Sequence, residues 1–319
     1  MEYVFWSILL LSGFAMLLVG ADWFVKGASS IARRLGVPQM VIGVTVMAFF
    51  GSAPEAFVSI GAALAGETDI AVGNIMGTNI LNICLTLGLC ALLTRLEVSD
   101  LTVRMEMPFL IAVAAFLALL GCFQGYLGPL DGVILCGLMV LYFIYLVKTA
   151  YRGRTVSEST LLSDTSVIKG KAVPAFAAGL FLLVMGSSLT IEAVGSLARA
   201  FDIGERTVAL TVVAFGTSFP TLVTSLSAVR QHKTDLLVGN LVGTNLFNLL
   251  FVLGVCSLID YIPYSGSYLT DGLAVLFTFA VLWLCSFRKK ELGRVGGVFL
   301  FLCLILYYLF LVWRHLFVE

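Results

Sequence analysis

DIAVGNIMGTNILNICLTLGLC, from Asp69 to Cys90, returns as DLLVGNLVGTNLFNLLFVLGVC, from Asp235 to Cys256. The offset is a constant 166 residues, and Gly73/Gly239, Asn74/Asn240, Gly77/Gly243, Thr78/Thr244, Asn79/Asn245 and Asn82/Asn248 are identical pairs. Upstream, in the same register, AFFGSAP (48–54) matches AFGTSFP (214–220), so that Ala48, Phe49, Ser52 and Pro54 recur as Ala214, Phe215, Ser218 and Pro220. Two Gly-rich helices that resemble each other by chance would not hold an ungapped register over both blocks. The chain is therefore read as an internal duplication.

Working outward, the repeated unit is membrane-embedded. Hydrophobic residues are 60% of the 319, charged residues only 12%, and the mean hydropathy is +1.05. Soluble domains carry about 25% charged residues. Apolar runs predict ten spans, at 4–21, 38–65, 70–93, 106–123, 130–148, 173–198, 207–229, 236–259, 269–286 and 295–313. The one sizeable hydrophilic stretch divides them five and five. The expected organisation is a first five-helix repeat over 1–148, a cytoplasmic linker over 149–171 and a second repeat over 172–319.

Lys and Arg counted by loop fall sixteen on one side and three (Arg199, Arg206, Arg314) on the other. By the positive-inside rule this places both termini outside the cytoplasm. Because five is odd, the second repeat then enters the bilayer upside down. Inverted repeats whose interrupted helices meet at mid-membrane are the pattern of secondary transporters. The expected fold is an all-α polytopic membrane protein, ten transmembrane helices as two inverted five-helix repeats, with broken second and seventh helices.

The breaks are expected at Pro54 and Pro220, which lack an N–H and crowd the preceding turn, with Gly51 and Gly216 nearby. Carbonyls released around Ala48 and Ala214 need partners at that depth, and a cation is one. A packed proline kink without a ligand reads equally well from these residues alone. Glu55 tips the balance. A carboxylate deep in an apolar span costs about 2.5–3.5 kcal/mol on insertion scales and marks a functional site by default. Thr78 and Asn82 share a helix face, as do Thr244 and Asn248, and the oxygen-rich, imidazole-free surroundings suit Na⁺ or Ca²⁺. The same residues could instead bond helix to helix.

Several classes are excluded. A net charge of zero gives no case for nucleic acid. The seven scattered cysteines form no CxxC pair, and no cofactor or partner protein is implied beyond the transported cations and the lipid bilayer. GNxxGTN lacks the Lys and the strand of a phosphate loop. An intramembrane enzyme would need an activated nucleophile or a carboxylate pair, and only Glu55 reads as a deep acid. His232 and His315 sit at edges, Asp22 is spaced to pair with Lys26, and Glu192 lies towards the end of the sixth span.

Five stretches together resemble the calcium/cation antiporter superfamily, in particular the prokaryotic sodium/calcium exchangers. They are GADWFVKGASSIARRLGVP from Gly20, VIGVTVMAFFGSAPE ending at Glu55, VGNIMGTNILN ending at Asn82, VVAFGTSFP ending at Pro220 and VGNLVGTNLFN ending at Asn248. The resemblance implies antiport of Ca²⁺ against Na⁺ or H⁺ by alternating access. It also implies a central cation site of Ser52, Glu55, Thr78, Asn82, Thr217, Ser218, Thr244 and Asn248, with backbone oxygens near Ala48 and Ala214. Three departures matter. Thr221 stands where the second Glu is expected, Asn248 where an Asp can occur, and Phe50-Gly51-Ser52 has lost a Thr hydroxyl. One carboxylate leaves about one positive charge of Ca²⁺ uncompensated, whereas it balances one Na⁺ or H⁺, so a monovalent exchanger or a changed substrate is the alternative.

Overall fold

The computed structural model describes the backbone of residues 2–35, 39–152, 171–230, 234, 237–264 and 266–317, and their side chains except at 2, 39–51, 150–152 and 317. Ten long helices follow one another: α1 Glu2–Arg34, α2 Gln39–Leu64, α3 Thr68–Leu93, α4 Thr102–Phe123, α5 Pro129–Arg152, α6 Ala172–Phe201, α7 Glu205–Arg230, α8 Leu237–Ile259, α9 Ser267–Phe287 and α10 Arg294–Phe317. All but α2 belong to the nine that are long and apolar enough to span a bilayer among the described residues. At 26 residues, α2 has the length to be the tenth. Most of the expected linker lies outside the described residues.

The helices do not share burial equally. The most apolar stretch of α3 is 83% buried and that of α8 72%, against 28% for α1, α5 and α6. Thus α3 and α8, the two copies of the repeated motif, form the centre. α1 and α6 face outward, in contact with each other along their length.

The contacts obey a two-fold exchange of the repeats. In α1, Gly13 lies against Gly186 and Gly20 against Gly179 of α6. Shifting by 166 residues turns 13 into 179 and 20 into 186, so each contact maps onto the other. A Cβ on any of these four glycines would come within about 3 Å of the opposite backbone, which is why the two helices approach so closely here. Two short ribbons repeat the relation. β1 (Leu96–Glu97) pairs antiparallel with β4 (Glu291–Leu292), and β2 (Tyr126–Leu127) with β3 (Ile262–Pro263). Since 96–97 corresponds to 262–263, and 126 to 292, the exchange converts one ribbon into the other.

Three expectations change. First, α1 continues well past residue 21, to Arg34, because Asp22 and Lys26 pair at 2.8 Å along one helix face and offset each other's charge. Second, the interruptions are milder than breaks. α2 is helical throughout, with Pro54 inside it, and in α7 the turn before the proline motif widens to a π-helical stretch, Ala209–Val213, ahead of Pro220. A proline inside a helix removes one hydrogen bond and crowds the preceding turn, which kinks the helix without requiring it to unwind. Third, Arg206 and Arg314, counted as loop charges, are buried. Arg206 Nε lies 3.4 Å and Arg314 3.0 Å from the Asp271 carboxylate, which also accepts from Tyr307 Oη at 3.1 Å. Pairing offsets the desolvation that would otherwise keep these charges at the surface.

Candidate cation site

The second motif gives each central helix the same irregularity. π-Helical segments run over Leu81–Leu87 in α3 and Asn248–Val252 in α8, so Asn82 and Asn248 both sit where the hydrogen-bond ladder shifts. Such a bulge re-aims side chains and leaves backbone groups available, and it recurs at functional sites. α2 and α3 pack against each other, and each packs against both α7 and α8. Gly73 and Gly77 let α3 press against α7. A Cβ on Gly77 would lie 2.3 Å from the Leu210 carbonyl oxygen and 2.6 Å from the Ala214 Cβ.

Into this junction the chain buries oxygen that it does not satisfy. Among the described residues, Ser52 Oγ, both Glu55 carboxylate oxygens, Thr78 Oγ1, Asn79 Oδ1, Asn82 Oδ1, Ser218 Oγ, Thr244 Oγ1 and both polar atoms of the Asn248 side chain have no hydrogen-bond partner. Glu55 is 1% exposed. Unpartnered buried hydroxyls also occur singly at Ser29, Thr86 and Ser286. The central group differs in being spread over α2, α3 and the two helices that pack on both of them, α7 and α8, and in containing the Glu55 carboxylate. Leaving so many acceptors unmet costs about 1–3 kcal/mol each, which a cation held among them would offset.

The remaining expected residues lie at the same junction in other states. Thr217 is buried and donates among the Asn74 Oδ1 (3.2 Å), the Val213 carbonyl (3.1 Å) and the Ala214 carbonyl (3.3 Å). The Ala214 oxygen therefore already accepts a hydroxyl. Thr221 is buried one residue after Pro220, and its carbonyl accepts from Thr224. Ala48 lies in α2 within the stretch 39–51, whose side chains are not described.

Two asparagines of the motif, Asn74 and Asn245, not singled out from sequence as site members, organise the surroundings. Asn74 donates to the Glu55 carbonyl at 3.3 Å and to Ser59 Oγ at 2.9 Å while accepting from Thr217, so one side chain ties α3 to α2 and α7. Asn82 donates to Asn245 Oδ1 at 3.0 Å, and Asn245 reaches the Asn79 carbonyl at 3.4 Å, which joins the two copies across the centre. Their recurrence in both copies was the available signal. Both readings of the motif thus find residues: Asn74, Asn245 and Thr217 bond helices, while Ser52, Glu55, Thr78, Ser218, Thr244 and Asn248 keep unmet polar atoms.

Ten long helices, an inverted duplication and a buried acid among unmet oxygens define a secondary transporter. The chain belongs to the sodium/calcium exchanger family, whose "Sodium/calcium exchanger protein" family model matches residues 5–148 and 171–313. It is 35% identical to inner membrane protein YrbG of Escherichia coli (strain K12) over 92% of this chain and 93% of that protein. To a putative antiporter, CaxA of Alkalimonas amylolytica, it is 35% identical with the same coverage. Among solved structures it is similar to the sodium-calcium exchanger NCX_Mj soaked with Na⁺ and Sr²⁺. The TM-score is 0.64 at 27% identity, covering 95% of this chain and 98% of that one.

Proposed function

We propose that this family member exchanges Ca²⁺ for Na⁺ or H⁺ at a single central site with Glu55 as its only charged ligand. Ser52, Thr78, Asn82, Thr217, Ser218, Thr244 and Asn248 supply neutral oxygens, with backbone help near Ala48 and Ala214 and Thr221 at the rim. The observation that carries the reading is the set of unmet buried oxygens, those of Glu55 among them, on α2, α3, α7 and α8. A bare carboxylate at this depth is costly, so the site reorients readily only when Glu55 holds an ion or a proton. Competing occupants of one carboxylate must take turns, and that enforces exchange. α1 and α6, in contact along glycine seams and carrying none of the site residues, are suited to slide past the rest as a gate. The organisation that goes with this is a repeat over 1–148, a cytoplasmic linker over 149–171 and a repeat over 172–319, with both termini outside the inner membrane.

A second reading is favoured by one specific observation. Thr221 and Asn248 leave the site one negative charge, which balances a monovalent ion better than Ca²⁺. The two separate in proteoliposomes. Labelled Ca²⁺ uptake driven by a Na⁺ or pH gradient, and lost in Glu55→Gln, is expected for the first. Folded protein that moves Na⁺ or H⁺ but no Ca²⁺ would establish the second. Coupled flux retained in Glu55→Gln would remove both.

A further inference from the structure

Buried carboxylates outside the centre differ in how their charge is met. Asp271 is held by Arg206, Arg314 and Tyr307. Asp131 accepts from the Gly128 N–H at 2.8 Å, at the start of α5. Glu106, in the first turns of α4, is 7% exposed and has no cation beside it among the described residues. Its Oε2 accepts from Thr102 Oγ1 at 2.7 Å, and Tyr142 Oη of α5 lies 3.5 Å from Oε1. The π-helical stretch Thr102–Glu106 turns both groups towards α8.

α8 closes the remaining side with glycine. A Cβ on Gly239, in the first turn, would lie 3.2 Å from Thr102 Oγ1 and 3.8 Å from Glu106 Oε2. One turn on, the atom nearest a Cβ on Gly243 is the same Tyr142 hydroxyl, at 3.9 Å. The helix that presents Thr244 and Asn248 to the central site therefore rests through two glycines on a carboxyl–hydroxyl group built by α4 and α5.

We propose that Glu106, with Thr102 and Tyr142, is a second binding position, for a proton, separate from the central site and linked to the seating of α8. A proton fits where a metal does not. Ca²⁺ takes six to eight oxygens, and this pocket offers a carboxylate and two hydroxyls, already in hydrogen-bond contact. The ionised form is supported by the hydroxyl donors of Thr102 and Tyr142. Gly239 and Gly243 seat α8 directly on that carboxyl–hydroxyl group, so a proton that rearranges those donors alters the surface on which α8 rests. The other ionisable groups facing this region are few. Tyr142 and Tyr145 come from α5, and no charged residue comes from α8 within Leu237–Phe247. On α4 itself Arg104 is exposed and turned to Asp100 at 3.5 Å. Coupling of this proton to transport rests on the antiport reading, whereas its binding does not, so the test measures binding.

The experiment is an infrared pH titration of the purified full chain in lipid nanodiscs, following the stretching band of protonated carboxyl groups. Wild type and Glu55→Gln are expected to share a titrating band that Glu106→Gln loses. Tyr142→Phe keeps the carboxyl and should move both the frequency and the midpoint of that band. Trp283, whose Nε1 donates to the Val103 carbonyl at 3.1 Å, should report the same midpoint by fluorescence when Trp6, Trp23 and Trp313 are replaced by Phe. A band unchanged in Glu106→Gln, or, should that variant not fold, unmoved by Tyr142→Phe, overturns the proposal. A titrating Glu106 band in protein that exchanges no cation would leave the proton site standing and remove only the antiport reading.

Discussion

The two copies of the Pro-containing motif share a register but part at one residue. In the first copy Pro54 is followed by Glu55, buried, with both carboxylate oxygens unpartnered. In the second copy Pro220 is followed by Thr221, also buried, and the neighbouring Thr217 hydroxyl is taken up by Asn74 and by the Val213 and Ala214 carbonyls. The asparagines diverge in the same way. Asn74 is fully buried and bridges three helices, whereas its counterpart Asn240 is half-buried. Duplication has thus preserved the scaffold, down to glycine contacts and ribbon pairing, while charge is confined to one copy. With Glu55 as the proposed charged ligand, architecture and ion valence become separable, because the first depends on many small residues and the second on one or two positions.

Restoring the missing charge is the strongest way to break that difference. Thr221→Glu gives both copies a carboxylate and should raise Ca²⁺ affinity by about one to two orders of magnitude, since affinity follows the number of charged ligands. Calcium binding by calorimetry checks this, and weaker binding would show that the second copy no longer points at the site. Next in size is Gly77→Ala. Its Cβ would meet the Leu210 carbonyl at 2.3 Å and should cost about 1–3 kcal/mol by overpacking, seen as a lower melting temperature. An unchanged melting temperature would mean that α3 and α7 stand further apart than described. The finest test sets Asn74→Ala against Asn240→Ala. Asn74 carries three side-chain contacts, and its loss should cost about 1–3 kcal/mol, with the Asn240 variant well below that. Equal costs would erase the asymmetry.

Much of this could be read from the chain. The offset repeat and the loop charges contained the ten spans, and Pro54-Glu55 with the GTN motifs contained most of the unmet oxygens. What was hidden depended on distance in space. The π-helical turns at Leu81–Leu87 and Asn248–Val252 shift a hydrogen-bond ladder under tertiary packing and have no compositional mark. Arg206, Arg314 and Asp271 lie near span ends, where charge normally meets water, and only the fold brings them together. Glu106 was missed for a related reason. It stands at the predicted start of the fourth span, and its burial comes from α5 and α8, far away in sequence. Asn74 was visible as a repeated residue, but which of its partners it would join was not.

The most direct test of Glu55 as the one charged ligand is calorimetric titration of Na⁺ and of Ca²⁺ into purified wild-type and Glu55→Gln protein, each ion alone and in competition. The expected result is mutually exclusive binding in the wild type and no detectable binding of either ion in the folded variant. Binding of either ion to Glu55→Gln with wild-type affinity would contradict it.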